Sequence, residues 1–171
     1  MNNRRFTFYA LMGILLAVSM LAAAQENSGQ VFLVRHAEKA SDAKDALLSA
    51  RGHERANCLA HLLADAGIRE ILVTRVVRTQ QTAEPLAKKL GITPTILEAD
   101  DIAAFVNRLQ AARNENVLVV GHADTLPNII EKLGGGRIAL ENSDYDKLFV
   151  LHYGASGTSG TVTTLHYCDC K

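Results

Sequence analysis

Three short runs of strand-forming apolar residues constrain the fold of this chain most. They are residues 31–34 (VFLV), 71–73 (ILV) and 117–120 (VLVV), and none contains a polar side chain. A strand without alternating polar residues is typical of a sheet whose two faces are both covered by helices. The segments that follow the runs have the apolar spacing of helices instead. The sequence therefore predicts strands and helices that alternate along the chain.

The spacing predicts helices at about 50–66, 79–90 and 101–112, and a fourth that begins near Pro127. Ser49 is the expected N-cap of the first helix. We expect one face of that helix to be apolar, formed by Leu59, Leu62, Leu63 and Ala66. A short strand is expected at 95–97. The order agrees with an α/β fold.

The last two predicted strands, 148–153 and 161–167, have no helix between them. Two strands joined in this way are expected to be an antiparallel pair. The whole pattern predicts a three-layer sandwich, in which a mostly parallel central sheet is flanked by helices and ends in the antiparallel pair.

The N-terminus has the pattern of a secretory signal peptide. Arg4 and Arg5 precede the apolar segment 6–20, and small residues at Ala22 and Ala24 suit cleavage after Ala24. An uncleaved membrane anchor is the alternative. We therefore expect a signal peptide at 1–24, a single domain at 25–171, and a periplasmic or secreted protein. Contact with the membrane is expected only through the signal segment during export.

Charge and cysteine content exclude several classes of protein. The chain has 18 basic and 18 acidic residues, whereas a general nucleic-acid binder would have a basic surplus, so we expect no nucleic-acid partner. Cys168 and Cys170 are one residue apart, which strains a bridge between them. Cys58 lies in a helical pattern, as a small core residue would. We therefore expect no structural disulfide.

Basic and imidazole side chains follow the predicted strands. Arg35 and His36 come directly after the first strand, His122 after the fourth, and Arg78 near the helix that follows the second. The carboxyl ends of strands are where open α/β sheets bind ligands. The planar fork of arginine matches the oxygens of a phosphate group. These residues predict an anion pocket at this edge of the sheet.

Four segments, in order, resemble the histidine phosphatase superfamily, which includes phosphoglycerate mutases and many small phosphatases. They are 34–39 (VRHAEK), 48–52 (LSARG), 78–85 (RTQQTAEP) and 119–122 (VVGH). The resemblance runs from Val31 to about Leu133 and covers most of the domain.

The resemblance implies a chemistry for four of these residues. His36 matches the nucleophile that becomes phosphohistidine, and Arg35, Arg78 and His122 match the pocket that holds the phosphate and its transition state. A neutral imidazole is a competent nucleophile, and arginines can carry the charge on the transferring group. The resemblance therefore implies a phosphatase that needs no metal and no cofactor. Its partner would be a small phosphorylated substrate or a phosphorylated chain.

The sequence departs from the family pattern at several positions. Ala37 stands where glycine is more common, and Asp42 where the mutase branch has asparagine. The long insertion before the mutase acid is also missing. Asp42, the missing insertion and the expected export argue against the alternative of a phosphomutase. A module that binds phosphate or a phosphosugar without turnover is the other alternative, and the four intact residues argue against it.

The general acid is not assigned by the sequence. Glu98, Asp101 and Asp124 are the candidates, and Asp101 and Asp124 are also placed to cap helices. We expect Glu38 to anchor its loop by an ion pair. His53 and His61 are expected on the surface, and His152 and His166 in structural roles.

Overall fold

The computed structural model describes residues 29–153 and 160–168. The predicted signal segment at 1–24 and Cys170 lie outside these residues. Within this described part of the chain, ten elements follow one another in the predicted order, β-α-β-α-β-α-β-α-β-β. The strands are β1 (Gln30–Arg35), β2 (Ile68–Thr74), β3 (Thr95–Leu97), β4 (Asn116–Gly121), β5 (Lys147–Tyr153) and β6 (Gly160–His166).

The six strands form one sheet in the order β3-β2-β4-β1-β5-β6. The pairs β2–β3, β2–β4 and β1–β4 are parallel. Strand β5 runs antiparallel to both β1 and β6, so the antiparallel pair lies at one end of the sheet. The predicted α/β architecture is confirmed.

In residues 29–153 and 160–168, four helices cover the two faces of the sheet. They are α1 (Ala50–Leu62), α2 (Val77–Leu90), α3 (Ile102–Ala111) and α4 (Thr125–Lys132). Side chains of α1 and α2 pack with one face of β1, β2 and β4, and side chains of α3 and α4 pack with the other face. This arrangement explains why the strands are apolar on both faces. Within the described ranges, no helix is long and apolar enough to cross a membrane.

The helix ends differ from the predictions by a few residues. Ser49 caps α1 as predicted, and its side chain accepts a hydrogen bond from the amide of Gly52. The expectation for Leu62 was wrong, because its side chain is 50% exposed while Leu59 and Leu63 are buried. Helix α4 begins at Thr125 rather than at Pro127. Pro127 lies in its first turn, where the missing amide hydrogen costs no helical hydrogen bond.

The expectation of no structural disulfide was wrong. Cys58 on α1 is bonded to Cys168, and their Cα atoms are 6.2 Å apart. After β6, Tyr167 turns back onto the face of the sheet that α1 covers and packs in that core, so Cys168 comes next to the helix. The two cysteines are 110 residues apart in the chain, and their meeting depends on the path of the last strand.

Candidate active site

Two histidines meet where β1 and β4 end. The strands are adjacent and parallel, with Arg35 in register with Gly121, so the residues that follow lie side by side. The ring centroids of His36 and His122 are 5.3 Å apart. Arg35, His36 and His122 are only 5%, 3% and 9% exposed. The topology therefore brings together residues that are far apart in the sequence.

The position of the proton on His36 follows from its neighbour. Nδ1 lies 2.8 Å from the carbonyl oxygen of Ala37. A carbonyl can only accept, so Nδ1 carries the hydrogen and Nε2 keeps its lone pair. Burial lowers the pKa of His36 to about 3, and the charges of Arg35 and Arg78 add to this, although the hydrogen bond to Ala37 acts in the opposite sense. His36 is therefore a neutral imidazole at physiological pH.

The backbone after His36 is fixed by α1 and α2. The amide of Ala37 donates to Oγ1 of Thr82, at 2.9 Å. The amide of Ser49 donates to the carbonyl oxygen of Glu38, at 2.8 Å. A Cβ on Gly52 would overlap that same oxygen, so glycine is required for the close approach of the helix. The serine and glycine of segment 48–52 thus position the loop that carries His36.

Arg35 is held by the segment between α4 and β5. Its Nη1 donates to the carbonyl oxygens of Glu141 and Asn142. Its guanidinium carbon lies 4.3 Å from the centroid of the Tyr145 ring, which is the distance of a cation–π contact. These contacts leave the Nε of Arg35 buried and without a partner among the described residues.

Arg78 lies in the first turn of α2 and reaches across to His122. Its Nη1 donates to the carbonyl oxygen of Lys44 at 2.8 Å, and its Nη2 is 3.4 Å from Nδ1 of His122. Burial and the nearby charge of Arg35 lower the pKa of Arg78. Its Nε is also buried and has no partner among the described residues. Two guanidinium groups therefore each keep one buried N–H group that is not used by the protein.

His122 is anchored by a threonine at the end of β2. Its Nε2 lies 3.0 Å from Oγ1 of Thr74, which is fully buried. Burial lowers the pKa of His122 to about 4, and the charge of Arg78 adds to this, while Asp124 acts in the opposite sense. His122 is therefore neutral at physiological pH as well.

These residues line a cleft of about 770 Å³. The loops after β1 and before α3 contribute Lys39, Asp42, Lys44 and Asp100 to its rim. Asp42 is fully exposed and forms an ion pair with Lys39, at 2.8 Å, which compensates its charge. The cleft thus has the buried Arg35, His36 and His122 and the half-buried Arg78 at its base, and charges of both signs at its rim.

The three candidate acids lie in different places. Glu98 forms an ion pair with Arg75 at 2.6 Å and does not line the cleft. Asp101 caps α3 by accepting a hydrogen bond from the amide of Ala104, at 2.9 Å. Asp124 lines the cleft beside His122, and it also caps α4 by accepting from the amide of Thr125, at 2.8 Å. Of the three, only Asp124 is at the site.

The other described histidines and Glu38 do not line the cleft. Glu38 pairs with Arg55 at 2.7 Å and so anchors its loop as predicted. His53 and His61 are exposed on α1, as predicted. Nδ1 of His166 lies 2.7 Å from a carboxylate oxygen of Asp146. Within the described part of the chain, no group of three or more His, Cys, Asp or Glu side chains is arranged to hold a metal ion.

Three residues at the site were missed in the sequence. Thr82 lies in the segment 78–85 and could have been found from it. Thr74 is the last residue of β2, where a polar residue after an apolar run is a weak signal. Tyr145 lies in a segment without any periodic pattern, and only the structure brings its ring next to Arg35.

A comparison with protein families matches residues 31–101 to the histidine phosphatase superfamily (branch 1). The match includes His36, Arg35 and Arg78, and it ends before His122. No curated protein matches the sequence.

Several solved structures have the same fold. The protein histidine phosphatase SixA, complexed with tungstate, has a TM-score of 0.67 and 24% identity, over 83% of this chain and 99% of that one. The alpha-ribazole phosphatase from Shigella flexneri has a TM-score of 0.64 and 18% identity, over 80% and 96% of the two chains. A mycobacterial glucosyl-3-phosphoglycerate phosphatase in complex with inorganic phosphate has a TM-score of 0.64 and 14% sequence identity, over 81% of this chain and 96% of that one. Over residues 31–101 the sequence is therefore similar to the histidine phosphatase superfamily, and the solved structures show that the chain has the same fold as these phosphatases.

Proposed function

We propose that this protein is a metal-independent phosphatase that acts through a phosphohistidine intermediate on His36. The observation that carries the proposal is the proton position on His36. Because Nδ1 donates to the carbonyl oxygen of Ala37, the lone pair of Nε2 is available for attack. The low pKa of His36, about 3, keeps that lone pair unprotonated at neutral pH.

The two arginines supply positive charge for the phosphoryl group. Arg35 and Arg78 are held by backbone carbonyls on one side, and each keeps a buried Nε–H group without a partner among the described residues. Buried donors that are fixed in advance stabilise charge that develops in a transition state. A buried N–H group without an acceptor costs about 1–3 kcal/mol, which phosphate oxygens would restore. No metal is needed for this charge.

The reaction proceeds in two steps. Nε2 of His36 attacks phosphorus, the bond to the leaving oxygen breaks, and Arg35 and Arg78 hold the transferring oxygens. Water then attacks the phosphorus of phosphohistidine and returns the lone pair to Nε2. The hydrogen stays on Nδ1 throughout, and its hydrogen bond to the carbonyl oxygen of Ala37 stabilises the positive ring of the intermediate.

The substrate is a phosphate monoester or another phosphoryl compound. Among the described residues, the cleft of about 770 Å³ is bounded by loops and strand ends, and its rim carries both lysines and carboxylates. This shape suits a small ester or a phosphorylated side chain on a flexible segment. The name of SixA, a protein histidine phosphatase, suggests the second type, and the alpha-ribazole phosphatases suggest the first.

We also propose that the chain is exported. Its N-terminal segment 1–24 has a basic head, an apolar core and small residues before the expected cut. The domain would then act in the periplasm or outside the cell. Cys58 and Cys168 are bonded to each other, which is the state favoured in an oxidising compartment.

The test is release of phosphate from an aryl phosphate by residues 25–171 in excess chelator. We expect turnover in chelator that is lost in His36→Ala and retained in His53→Ala, since His53 is an exposed histidine. Loss of turnover in chelator would show that a metal is required. Binding of phosphate without any turnover, over a panel of aryl and phosphoamide substrates, would contradict the enzyme and favour a binding module.

A further inference from the structure

The hydrogen bonds around His122 fix the position of its proton. An arginine guanidinium can only donate, so the Nδ1 atom that lies 3.4 Å from Nη2 of Arg78 must accept. The ring is neutral, and its single N–H hydrogen is therefore on Nε2. That hydrogen points at Oγ1 of Thr74, at 3.0 Å.

The hydroxyl of Thr74 is set up to accept this hydrogen. Because this oxygen accepts from Nε2 of His122 and also from the amide of Val76, at 3.3 Å, its own hydrogen is directed at Oγ1 of Thr79, at 3.0 Å. The hydroxyl of Thr79 in turn donates to the carbonyl oxygen of Val76, at 2.8 Å. Thr74 and Thr79 are both fully buried, so water does not compete with these bonds. All the hydrogens in this relay run in one direction, away from His122.

The consequence is that Nδ1 of His122, a residue that lines the cleft, carries a lone pair and no hydrogen. Without a ligand that lone pair accepts the long contact from Nη2 of Arg78, at 3.4 Å, which a bound phosphoryl group would displace. A lone pair repels the oxygens of a phosphate dianion, but it accepts a hydrogen bond from a P–OH group. We propose that His122 is the proton carrier of the reaction: its Nδ1 takes a proton from the monoanionic phosphoryl group and passes it to the leaving oxygen. Thr74 is the positioning residue that holds His122 in the required tautomer. This inference rests on the proposed function and assigns the general acid that the sequence leaves open.

The step balances without any other reactant. The monoanion ROPO₃H⁻ gives its proton to Nδ1 of His122 while Nε2 of His36 attacks phosphorus. The P–O bond breaks, its electron pair goes to the leaving oxygen, and that oxygen takes the proton from His122. The products are ROH and phosphohistidine, and His122 is neutral again. Water then attacks phosphorus, the N–P electron pair returns to His36, and the water proton leaves on the phosphate.

The groups that face His122 agree with this role. Arg78 faces it from α2, Arg35 and His36 face it from the end of β1, and Asp124 faces it from the N-terminus of α4. The carboxylate of Asp124 accepts hydrogen bonds from both the amide and the hydroxyl of Thr125. Capping α4 is a sufficient structural reason for an aspartate at this position, so Asp124 needs no role in proton transfer.

The first experiment measures proton uptake when inorganic phosphate binds at pH 8, where free phosphate is mostly the dianion. Calorimetry in buffers of different ionisation enthalpy gives the number of protons bound with each phosphate. We expect about one proton for the wild type, because the bound state must contain the proton between phosphate and His122. Uptake should persist in His36→Asn and vanish in His122→Asn. Nitrogen-15 spectra of the wild type should place this proton on His122 and should show the Nε2–H tautomer before phosphate is added.

The outcomes separate this inference from the proposed function. Phosphate binding without proton uptake, or uptake that is lost in His36→Asn, would overturn the inference and leave the phosphatase intact. A resting Nδ1–H tautomer would also overturn it, with or without measurable activity. Failure of the wild type to bind phosphate at all would overturn the proposed function and this inference with it.

The second experiment tests Thr74 by the dependence of rate on the leaving group. In Thr74→Val the Nε2–H group loses its acceptor, so we expect kcat/KM for phenyl phosphate to fall about 100-fold, in the range of general acid catalysis. For a dinitrophenyl phosphate, whose leaving group needs no proton, the loss should be less than about threefold. Thr74→Ser keeps the hydroxyl and should restore the rate with phenyl phosphate. Equal losses for both substrates in Thr74→Val would show a merely structural role and contradict the inference.

Discussion

Arg55 and Glu38 form an ion pair that links the site to the C-terminal segment. Nε of Arg55 lies 3.0 Å from both carboxylate oxygens of Glu38, and Nη2 lies 2.7 Å from one of them. The other arm of the guanidinium donates to the carbonyl oxygens of Tyr167 and Cys168, at 3.1 and 3.0 Å. Glu38 is two residues after His36, so one buried arginine fixes both the loop of the nucleophile and the two residues that follow β6.

Replacement of Arg55 is therefore expected to destabilise the fold strongly. Arg55→Met leaves Glu38 without its main partner, and loss of one member of a buried pair costs about 3–5 kcal/mol. Arg51 also contacts Glu38 but is mostly exposed, so Arg51→Met is the control and should cost less than about 1 kcal/mol. Urea unfolding of both variants measures the difference. Similar losses of unfolding free energy in Arg55→Met and Arg51→Met would contradict the conclusion that Arg55 is the main partner of Glu38.

Reduction of the disulfide is expected to destabilise the protein. Cys58 and Cys168 close a loop of 110 residues, for which the chain-entropy estimate is about 4–5 kcal/mol. The measurement is the free energy of unfolding in urea with and without reductant. The double variant Cys58→Ser/Cys168→Ser is the control, because its stability should not respond to the reductant. If the free energy of unfolding of the wild type were the same with and without reductant, the result would contradict a stabilising bond between Cys58 and Cys168.

Stability is expected to fall as the pH falls from neutral to about 5. In the folded state the pKa values of His36 and His122 are lowered to about 3 and 4, against 6.5 for an ordinary histidine. Below pH 6.5 the unfolded chain binds protons at these positions and the folded chain does not, so unfolding is favoured. The loss between pH 7 and pH 5 should be about 2 kcal/mol for each histidine. His36→Asn should remove about half of this loss, and an unchanged pH dependence would contradict the burial of a neutral imidazole.

Asp124→Asn is expected to have little effect on turnover. Asparagine caps a helix as well as aspartate but has no acidic proton, so kcat/KM should change less than about threefold. Asp124→Ala also removes the cap and should cost about 1 kcal/mol of stability. Steady-state kinetics and thermal unfolding distinguish the two effects. A loss of 100-fold or more in Asp124→Asn would make this carboxylate the acid and contradict the role proposed for His122.

The fold was predicted well because the evidence for it is local. The runs 31–34, 71–73 and 117–120 lie within β1, β2 and β4, and the order of all ten elements is as expected. The four residues singled out at strand ends lie around one cleft, since parallel strands bring their carboxyl ends to one edge.

What the sequence could not predict depends on contacts between distant segments. The bond from Cys58 to Cys168 requires that the chain after β6 return to α1, and no pattern in the sequence indicates this path. Arg55 looks like an ordinary surface residue of a helix, and it is buried because Glu38 and the last carbonyls surround it. The tautomer of His122 depends on Thr74 and Arg78, which come from two other elements.

The most direct test of the account is the detection of phosphate on His36. The wild type is mixed with an aryl phosphate, quenched in alkali to preserve a phosphoramidate bond, and digested for mass spectrometry. The account predicts an acid-labile phosphoryl group on the peptide that contains His36, formed in chelator and absent from His36→Asn. Efficient turnover without any such label, or a label on another residue that persists in His36→Asn, would contradict the account.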